Sequence, residues 1–345
     1  MATERDAGVF KPQKLLTPPP PETPPATSRS PFRVVDDLPV KKFVERKHLR
    51  TDRFEYERKG DDPGYIIIFN QETFYDKELG TRRGTRRDVN ELTTCLQRLG
   101  FNIDKENILT DKTTEEVEQV LEKASQIDFT NYNCLILFFL SHGEELNFLH
   151  TKDGQILAKD IWLKFKDSPG LNGKPKMFVF QACKGENFTT VGNELPKSAV
   201  LTPSSTFSPD YLYDDLLIVH SSTEGNCAFR NQYTGSWFIQ ELCKNFTAYG
   251  RKDEVISLII RVTKCVSNNF TKGKDPTTNL EYSNAKQMPF FISTLRKKFY
   301  LNRTKERDAI LRIAETNEHI LKTLVEIKTQ LDHILANDDE KKHKK

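Results

Sequence analysis

The 345-residue sequence contains no C-x-x-C pair, no dense cysteine pattern and no long apolar run. Each absence removes a class of protein. Its six cysteines, Cys95, Cys134, Cys183, Cys227, Cys243 and Cys265, are scattered along the chain. Neither a zinc site nor a disulfide framework is therefore expected, and reduced thiols are the default. No apolar stretch approaches the roughly 18 residues that span a bilayer, and the N-terminus lacks an apolar signal segment. This predicts a soluble, cytoplasmic protein. Charge of one sign is also missing: a net +3 is spread over 29% charged residues, and no basic motif is interleaved with aromatics. A nucleic-acid partner is not expected. No segment recurs, which excludes a repeat architecture.

What is present is enough apolar material, 37% of residues, for a large core. The chain divides by composition. Residues 1–55 carry Pro18 to Pro21, Pro24, Pro25 and Pro31 among Ser and Thr and read as a disordered leader. Beyond it, Tyr65–Phe69, Leu135–Leu140, Met177–Phe180 and Leu216–Val219 are short apolar runs rich in β-branched and aromatic residues, the pattern of strands buried on both faces. Helical periods lie between and after them. Asp88–Leu99 puts Val89, Leu92, Leu96 and Leu99 on one face, and Thr113 with Glu116 forms a capping box ahead of Val117. Later helices are predicted from Ser236 to Ala248, closed by Gly250, and from Asp253 to Val266, followed by a strand at Phe290–Leu295. Alternating β and α elements imply an α/β fold with a mostly parallel sheet covered on both sides. Between Glu186 and Asp210, Pro, Ser and Thr interrupt the order with an exposed loop. In the tail, Ile310, Asn317, Leu324 and Leu331 share one heptad position and Ile313, Ile320, Ile327 and Ile334 the other, a coiled-coil pattern.

Cys183 directly follows an apolar strand, where open α/β sheets place their sites, which favours it over the other cysteines as a nucleophile. A thiol nucleophile needs a base to form thiolate. Among seven histidines, His142 leaves the strand Leu135–Leu140 at the same end of the sheet, with His150 and His220 as weaker competitors.

The sequences Ser141-His142-Gly143 and Gln181-Ala182-Cys183-Lys184-Gly185, each behind a strand, resemble the caspase family over about Asp61–Leu301. The resemblance implies a caspase-like three-layer sandwich whose sheet has about six strands, to which the heptad pattern adds a helical tail. It implies a large catalytic region at 56–192, a processing linker at 193–212 and a small catalytic region at 213–302; relatives usually stop near Arg296–Leu301, and the heptads place the coiled-coil tail at 303–345 beyond them. It further implies a zymogen that cuts proteins after aspartate, in cell death or a related cascade, without metal or cofactor. Cys183 would be the nucleophile and His142 the acid and base, and the backbone N–H groups of Gly143 and Cys183 would hold the oxyanion. Arg82, Gln181 and Arg230 match the pocket for the substrate aspartate, where planar guanidinium forks suit a carboxylate. Phe229, Trp237 and Asn231 match outer subsites. Asp210 and Glu194 in the linker, and Asp36 or Asp37 in the leader, are candidate processing points. The short leader resembles that of effector members. A homodimer is expected, with the tail joining a partner helix or a higher oligomer.

Lys184 departs from the family, which usually has Arg there, and Cys227 stands where relatives often carry tyrosine. Competing readings exist. Arg83, Arg86 and Arg87 fit a solvated face, Trp237 fits a core position, and the tail fits a surface helix packed on its own domain. At the level of function the alternative is an inactive caspase-like scaffold that regulates active relatives. Such decoys typically lack the cysteine, the histidine or a pocket arginine, and this chain keeps them all.

Overall fold

The computed structural model describes residues 3–5, 54–58, 62–185, 189–190, 212–269, 271–274, 281–302, 313, 316–317 and 319–331. In chain order the strands are β1 (Thr3–Arg5), β2 (Tyr65–Asn70), β3 (Ile108–Thr110), β4 (Leu135–Leu140), β5 (Phe148–His150), β6 (Gln155–Leu157) and β7 (Lys176–Gln181). They continue with β8 (Thr189–Thr190), β9 (Leu216–His220), β10 (Phe229–Asn231), β11 (Gly235–Ser236), β12 (Thr271–Lys274), β13 (Glu281–Lys286) and β14 (Phe290–Ser293). The helices are α1 (Thr85–Arg98), α2 (Thr114–Ser125), α3 (Ala158–Leu163), α4 (Trp237–Tyr249) and α5 (Val255–Ser267).

Six strands form the central sheet in the order β14-β9-β7-β4-β2-β3, parallel except for β14 at one edge. The apolar runs of β4, β7 and β9 are buried at every residue because both faces are covered. Alternation along the strands divides the core into two layers. Ile66, Ile68, Ile136 and Phe138 pack with Val89, Leu92, Leu242 and Leu258 from α1, α4 and α5. Ile67, Phe69, Leu137 and Phe139 pack with Val117, Leu121 and Trp162 from α2 and α3. Three layers result. Beside them stand a β5-β6 hairpin, a β12-β13-β8 sheet and a β1-β10-β11 sheet, the last lying at the site.

Helix α2 starts with the expected capping box: the Thr113 hydroxyl accepts from Glu116 N at 3.2 Å, and the Glu116 carboxylate accepts from Thr113 N at 2.9 Å. Helix α1 begins at Thr85 rather than Asp88. Its first turn carries exposed Arg86 and Arg87 and so shows no apolar period, while Gly84, at φ +90°, lets the chain turn into the helix. Helix α5 begins at Val255, because Glu254 caps it through Ile256 N and Ser257 N at 3.0 Å each.

Residues 319–331 are helical, and Ile320, Leu321, Leu324, Val325, Ile327 and Leu331 are 47–64% exposed. A helix packed on its own domain would bury them, so that reading of the tail does not fit its described part. Ile310, Ile334 and the processing candidates Asp36, Asp37, Glu194 and Asp210 lie outside the described residues, as do 193–211 and most of 1–55. Among the described residues, no helix is long and apolar enough to cross a membrane.

Candidate active site

Strands β4 and β7 are parallel neighbours in the register Leu140↔Gln181. Residues the same distance past each strand end, His142 and Cys183, therefore leave one sheet edge side by side, at the strand spacing of about 4.8 Å. The two loops touch. A β-carbon built on Gly143 would lie 2.4 Å from the Cys183 carbonyl oxygen and 2.8 Å from Ala182 Cβ, so only glycine permits this contact. Cys183 is buried, and its Sγ accepts from Ala228 N at 3.1 Å and lies 3.6 Å from Ala228 O.

His142 is also buried, with Phe74 5.0 Å away between ring centroids. Its Nε2 lies 3.4 Å from the Gly80 carbonyl oxygen, an acceptor only, so the proton belongs on Nε2. Nδ1 is then the basic atom, and it has no hydrogen-bond partner among the described residues. Burial first, then the nearby charges of Arg82 and His150, hold the imidazole well below its ordinary pKa. It is neutral at pH 7 and able to take a proton.

The competing histidines are otherwise engaged. His150 pairs with Glu144 at 2.8 Å, and its backbone N donates to the His142 carbonyl at 3.0 Å. The Ser141 hydroxyl donates to the carbonyl of His150 at 2.6 Å, so this strand braces the His142 loop. His220 is stacked between Phe180 and Phe290, with centroids 5.1 and 4.9 Å away.

Arg82, Gln181 and Arg230 are each no more than 1% exposed. Arg82 precedes α1, and its Nη1 donates to Gln71 O at 2.9 Å and to the Thr85 hydroxyl at 3.0 Å. Burial draws its pKa down to about 10, which keeps it charged at neutral pH. Arg230, in β10, donates from Nε to Arg83 O at 2.8 Å. The second arginine is thus tied to the residue that follows the first, and Gln181 ends the strand that leads to Cys183.

These ties depend on residues that sequence reasoning missed. Asp88, buried in α1, accepts from Ser236 N at 2.7 Å and from the Ser236 hydroxyl at 2.6 Å, which clamps β11 to the helix. Burial pushes the Asp88 carboxyl up to about 6, against the opposing effects of the Ser236 hydrogen bonds and Arg82. A β-carbon on Gly84 would lie 2.5 Å from Asn231 O, and one on Gly235 2.3 Å from Asp88 Oδ1. Both glycines have positive φ and both mark close approach. On the other side of β10, the Gln287 side chain accepts from Phe229 N at 2.7 Å and donates to Ser221 O at 2.8 Å. The Ser221 hydroxyl in turn donates to Ala182 O at 2.9 Å, which completes a link from β10 to the cysteine loop. No local pattern announces Asp88 or Gln287.

The outer residues are mixed. Phe229 and Trp237 meet with ring centroids 4.9 Å apart. The Asn231 side-chain oxygen accepts from Tyr233 N at 2.9 Å and Thr234 N at 3.1 Å, closing the turn between β10 and β11. Cys227 lies beneath, its thiol 3.4 Å from Gly185 O. Lys184 is buried: its ammonium meets Glu224 at 3.0 Å, hydrogen-bonds Asn147 and sits over the Phe290 ring at 4.8 Å. A compact ammonium thus gathers two loops around the cysteine, although the two-point grip of a guanidinium is missing.

A thiol and an imidazole at one rim of an α/β sheet, with buried guanidiniums beside them, define a cysteine peptidase. A family model described as Caspase domain matches residues 63–300, and the chain belongs to the caspase family. It is 30% identical to Caspase-7 of Gallus gallus over 271 residues, covering 77% of this chain and 85% of the relative. It is 32% identical to a Caspase-1 of Drosophila melanogaster over 276 residues, covering 79% and 81%. Among solved structures, the crystal structure of Caspase-1 from Spodoptera frugiperda aligns with a TM-score of 0.63 at 28% identity, covering 74% of this chain and 96% of the other. The protein is a cysteine endopeptidase that cuts protein chains after aspartate.

Proposed function

We propose that Cys183 is the nucleophile and His142 the proton carrier of this peptidase. His142 Nδ1 takes the thiol proton, and the thiolate attacks the carbonyl carbon of the substrate aspartate. The N–H groups of Gly143 and Cys183 stabilise the oxyanion that forms. As the C–N bond breaks, the proton passes from His142 to the leaving amine. Water then hydrolyses the thioester, with His142 again accepting a proton. Arg82, Arg230 and Gln181 bind the aspartate side chain, and Phe229, Trp237 and Asn231 line the positions before it. The single observation that carries this reading is the Leu140↔Gln181 register, which sets an uncharged, buried imidazole beside the cysteine loop. The test is hydrolysis of an Asp-ending fluorogenic peptide. The wild type cleaves it, its Asn-ending twin is left intact, and Cys183→Ala loses at least about a thousandfold in rate. Equal rates for wild type and Cys183→Ala would leave the inactive scaffold as the better reading.

The chain is made as a cytoplasmic zymogen acting in apoptosis, and cuts after Asp210 or Glu194 and after Asp36 or Asp37 separate a leader, a large region (56–192) and a small region (213–302). The catalytic domain forms a homodimer. The tail, 303–345, pairs with the tail of another copy, because exposed Ile320, Leu324, Ile327 and Leu331 follow a heptad spacing. Solution mass with and without 303–345 tests this, and an unchanged oligomeric state on truncation would refute it.

A further inference from the structure

Helices α1 and α4 meet at both ends and so run side by side in the same direction. At their N-terminal ends Asp88 of α1 accepts from Ser236, the residue before α4, at 2.7 and 2.6 Å. At their C-terminal ends a β-carbon on Gly250, which follows α4, would lie 3.0 Å from Cδ2 of Leu99, which follows α1. Between these contacts stand Cys95 and Cys243, each seven residues beyond a member of the Asp88–Ser236 clamp. Seven residues are about two helical turns, so clamp and cysteines lie along one seam. The Cys95 thiol donates to the Cys243 carbonyl at 3.5 Å, and the two thiols hydrogen-bond each other.

The seam is open on one side. A groove of about 540 Å³ runs along it, with the two buried cysteines at its base and Arg98, Lys244 and Thr247 among its walls. The thiols are 3% and 5% exposed, so the opening suits a reagent of a few atoms. Packing alone would be met by any small apolar residues here, and it does not require two sulfurs in contact beneath an open groove. Their protonation is unequal. Burial pushes the Cys134 thiol up to about 12, whereas Cys95 goes the other way. The hydrogen bond with Cys243 first, then the Thr247 hydroxyl and the Arg98 charge, hold Cys95 below the ordinary thiol value against burial and Glu91. Cys243 is pushed up, by its hydrogen bond with Cys95 first and then by burial. Cys95 therefore ionises first, and Cys243 keeps its proton.

We propose that Cys95 and Cys243 form a redox-active dithiol that a small hydroperoxide oxidises to a disulfide, stapling α1 to α4 beneath the Asp88–Ser236 clamp. In the first step the Cys95 sulfur attacks one oxygen of hydrogen peroxide. The O–O bond breaks, Cys95 becomes a sulfenic acid, and the second oxygen leaves as water with the proton that Cys95 gave up. In the second step the Cys243 sulfur attacks the Cys95 sulfur. The S–S bond forms, the S–O bond breaks, and the hydroxyl leaves as water with the Cys243 proton. The dithiol has lost two electrons and the peroxide has gained them, and a thiol reductant reverses the change. The bond joins side chains already in contact. It acts on the half of the cleft that recognises substrate, because α1 follows Arg82 and α4 follows β11. What Asp88 holds by hydrogen bonds, the disulfide holds covalently.

The experiment uses the full-length Cys183→Ala chain, so that the thiol at the sheet edge takes no part, with hydrogen peroxide as the probe. Non-reducing tryptic mapping is expected to give a cross-linked species that joins 88–98 to 231–244, lighter than its parts by two hydrogens and undone by dithiothreitol. Its rate of formation should not change with protein concentration. Adding Cys243→Ser should stop the reaction at a Cys95 sulfenic acid that dimedone traps, whereas adding Cys95→Ser should leave Cys243 unlabelled. The oxidised chain should melt at least about 3 °C above the reduced one, since the bond links residues 148 apart in the chain. Peroxide that oxidises the less buried Cys265 without joining 88–98 to 231–244 would overturn the proposal, and this mapping decides even if a serine variant fails to fold. Dimedone on Cys243 instead of Cys95 would overturn the assignment of the attacking sulfur. Equal melting of the two forms would refute the staple.

Discussion

Two halves of the cleft are built by different means. Cys183 and His142 are set by the register of two adjacent parallel strands whose every residue is buried, so their relative position is a property of the sheet. Arg82 and Arg230 are set by side-chain ties and close glycine contacts between separate elements: Arg230 to Arg83 O, Asp88 to Ser236, Gln287 to Phe229 and the glycine contacts at 84 and 235. The difference teaches that chemistry and recognition can fail separately. Damage to a loop tie should reach substrate binding long before it reaches the thiol.

The sharpest way to break the comparison is to change an arginine itself. Arg230→Lys keeps a charge but loses the planar fork and its hold on Arg83 O. Leaving buried partners unmatched costs roughly 2–5 kcal/mol, so kcat/KM for an Asp-ending peptide should fall on the order of a hundredfold or more, and the preference over the Asn-ending twin should shrink. Steady-state kinetics on both peptides checks this, and a KM within twofold of the wild type would be the contrary result.

Next in size is Gly84→Ala. Its φ of +90° and the 2.5 Å approach to Asn231 O both resist a β-carbon. Urea unfolding should show a loss of about 1–3 kcal/mol, together with a raised KM. Gly173→Ala is the control: φ is +73° there, yet nothing lies within 4 Å, so the excess cost at Gly84 isolates the contact with β10. Equal costs at the two positions would mean that the contact contributes nothing.

Gln287→Leu removes one acceptor and one donor from buried backbone partners. About 1–3 kcal/mol is at stake, and the expected sign is a higher KM with kcat nearly kept, because the thiol and imidazole are held elsewhere. If kcat fell while KM stayed, the link through Ser221 to Ala182 would matter more than the seating of β10.

The smallest effect concerns pH. Burial holds His142 below its ordinary pKa in the fold, so the unfolded chain binds more protons as pH falls through about 6.5. The stability that His142 contributes by staying neutral is thus present above that range and is lost on acidification. His142→Gln should flatten the decline in unfolding free energy between pH 7.5 and 5, and a slope equal to the wild type would refute the assignment.

The same contrast explains what could be read from sequence. Leu135–Leu140 and Met177–Phe180 declare themselves as buried parallel strands by composition alone, and once they are neighbours, His142 and Cys183 follow. Asp88 and Gln287 could not be found this way. Their partners, Ser236 and Phe229, lie 148 and 58 residues away, and a side chain bonding to a distant backbone leaves no periodic trace. The early start of α1 was hidden for a related reason: Arg86 and Arg87 face water, so its first turn has no apolar signal. The side-chain oxygen of Asn231, a candidate outer-subsite residue, also closes the turn between β10 and β11, a contact no sequence pattern announces. The heptads of the tail predicted a helix, which residues 319–331 form with their apolar stripe still facing solvent.

The adjacency of β7 and β9 has a mechanical consequence. They run side by side from Lys176↔Leu216 to Phe180↔His220, although the chain between them is long. A nick anywhere in that connection would divide the polypeptide in sequence but not in space. Each piece alone would be half a sheet with a raw apolar rim, so the severed molecule must live or perish as one body.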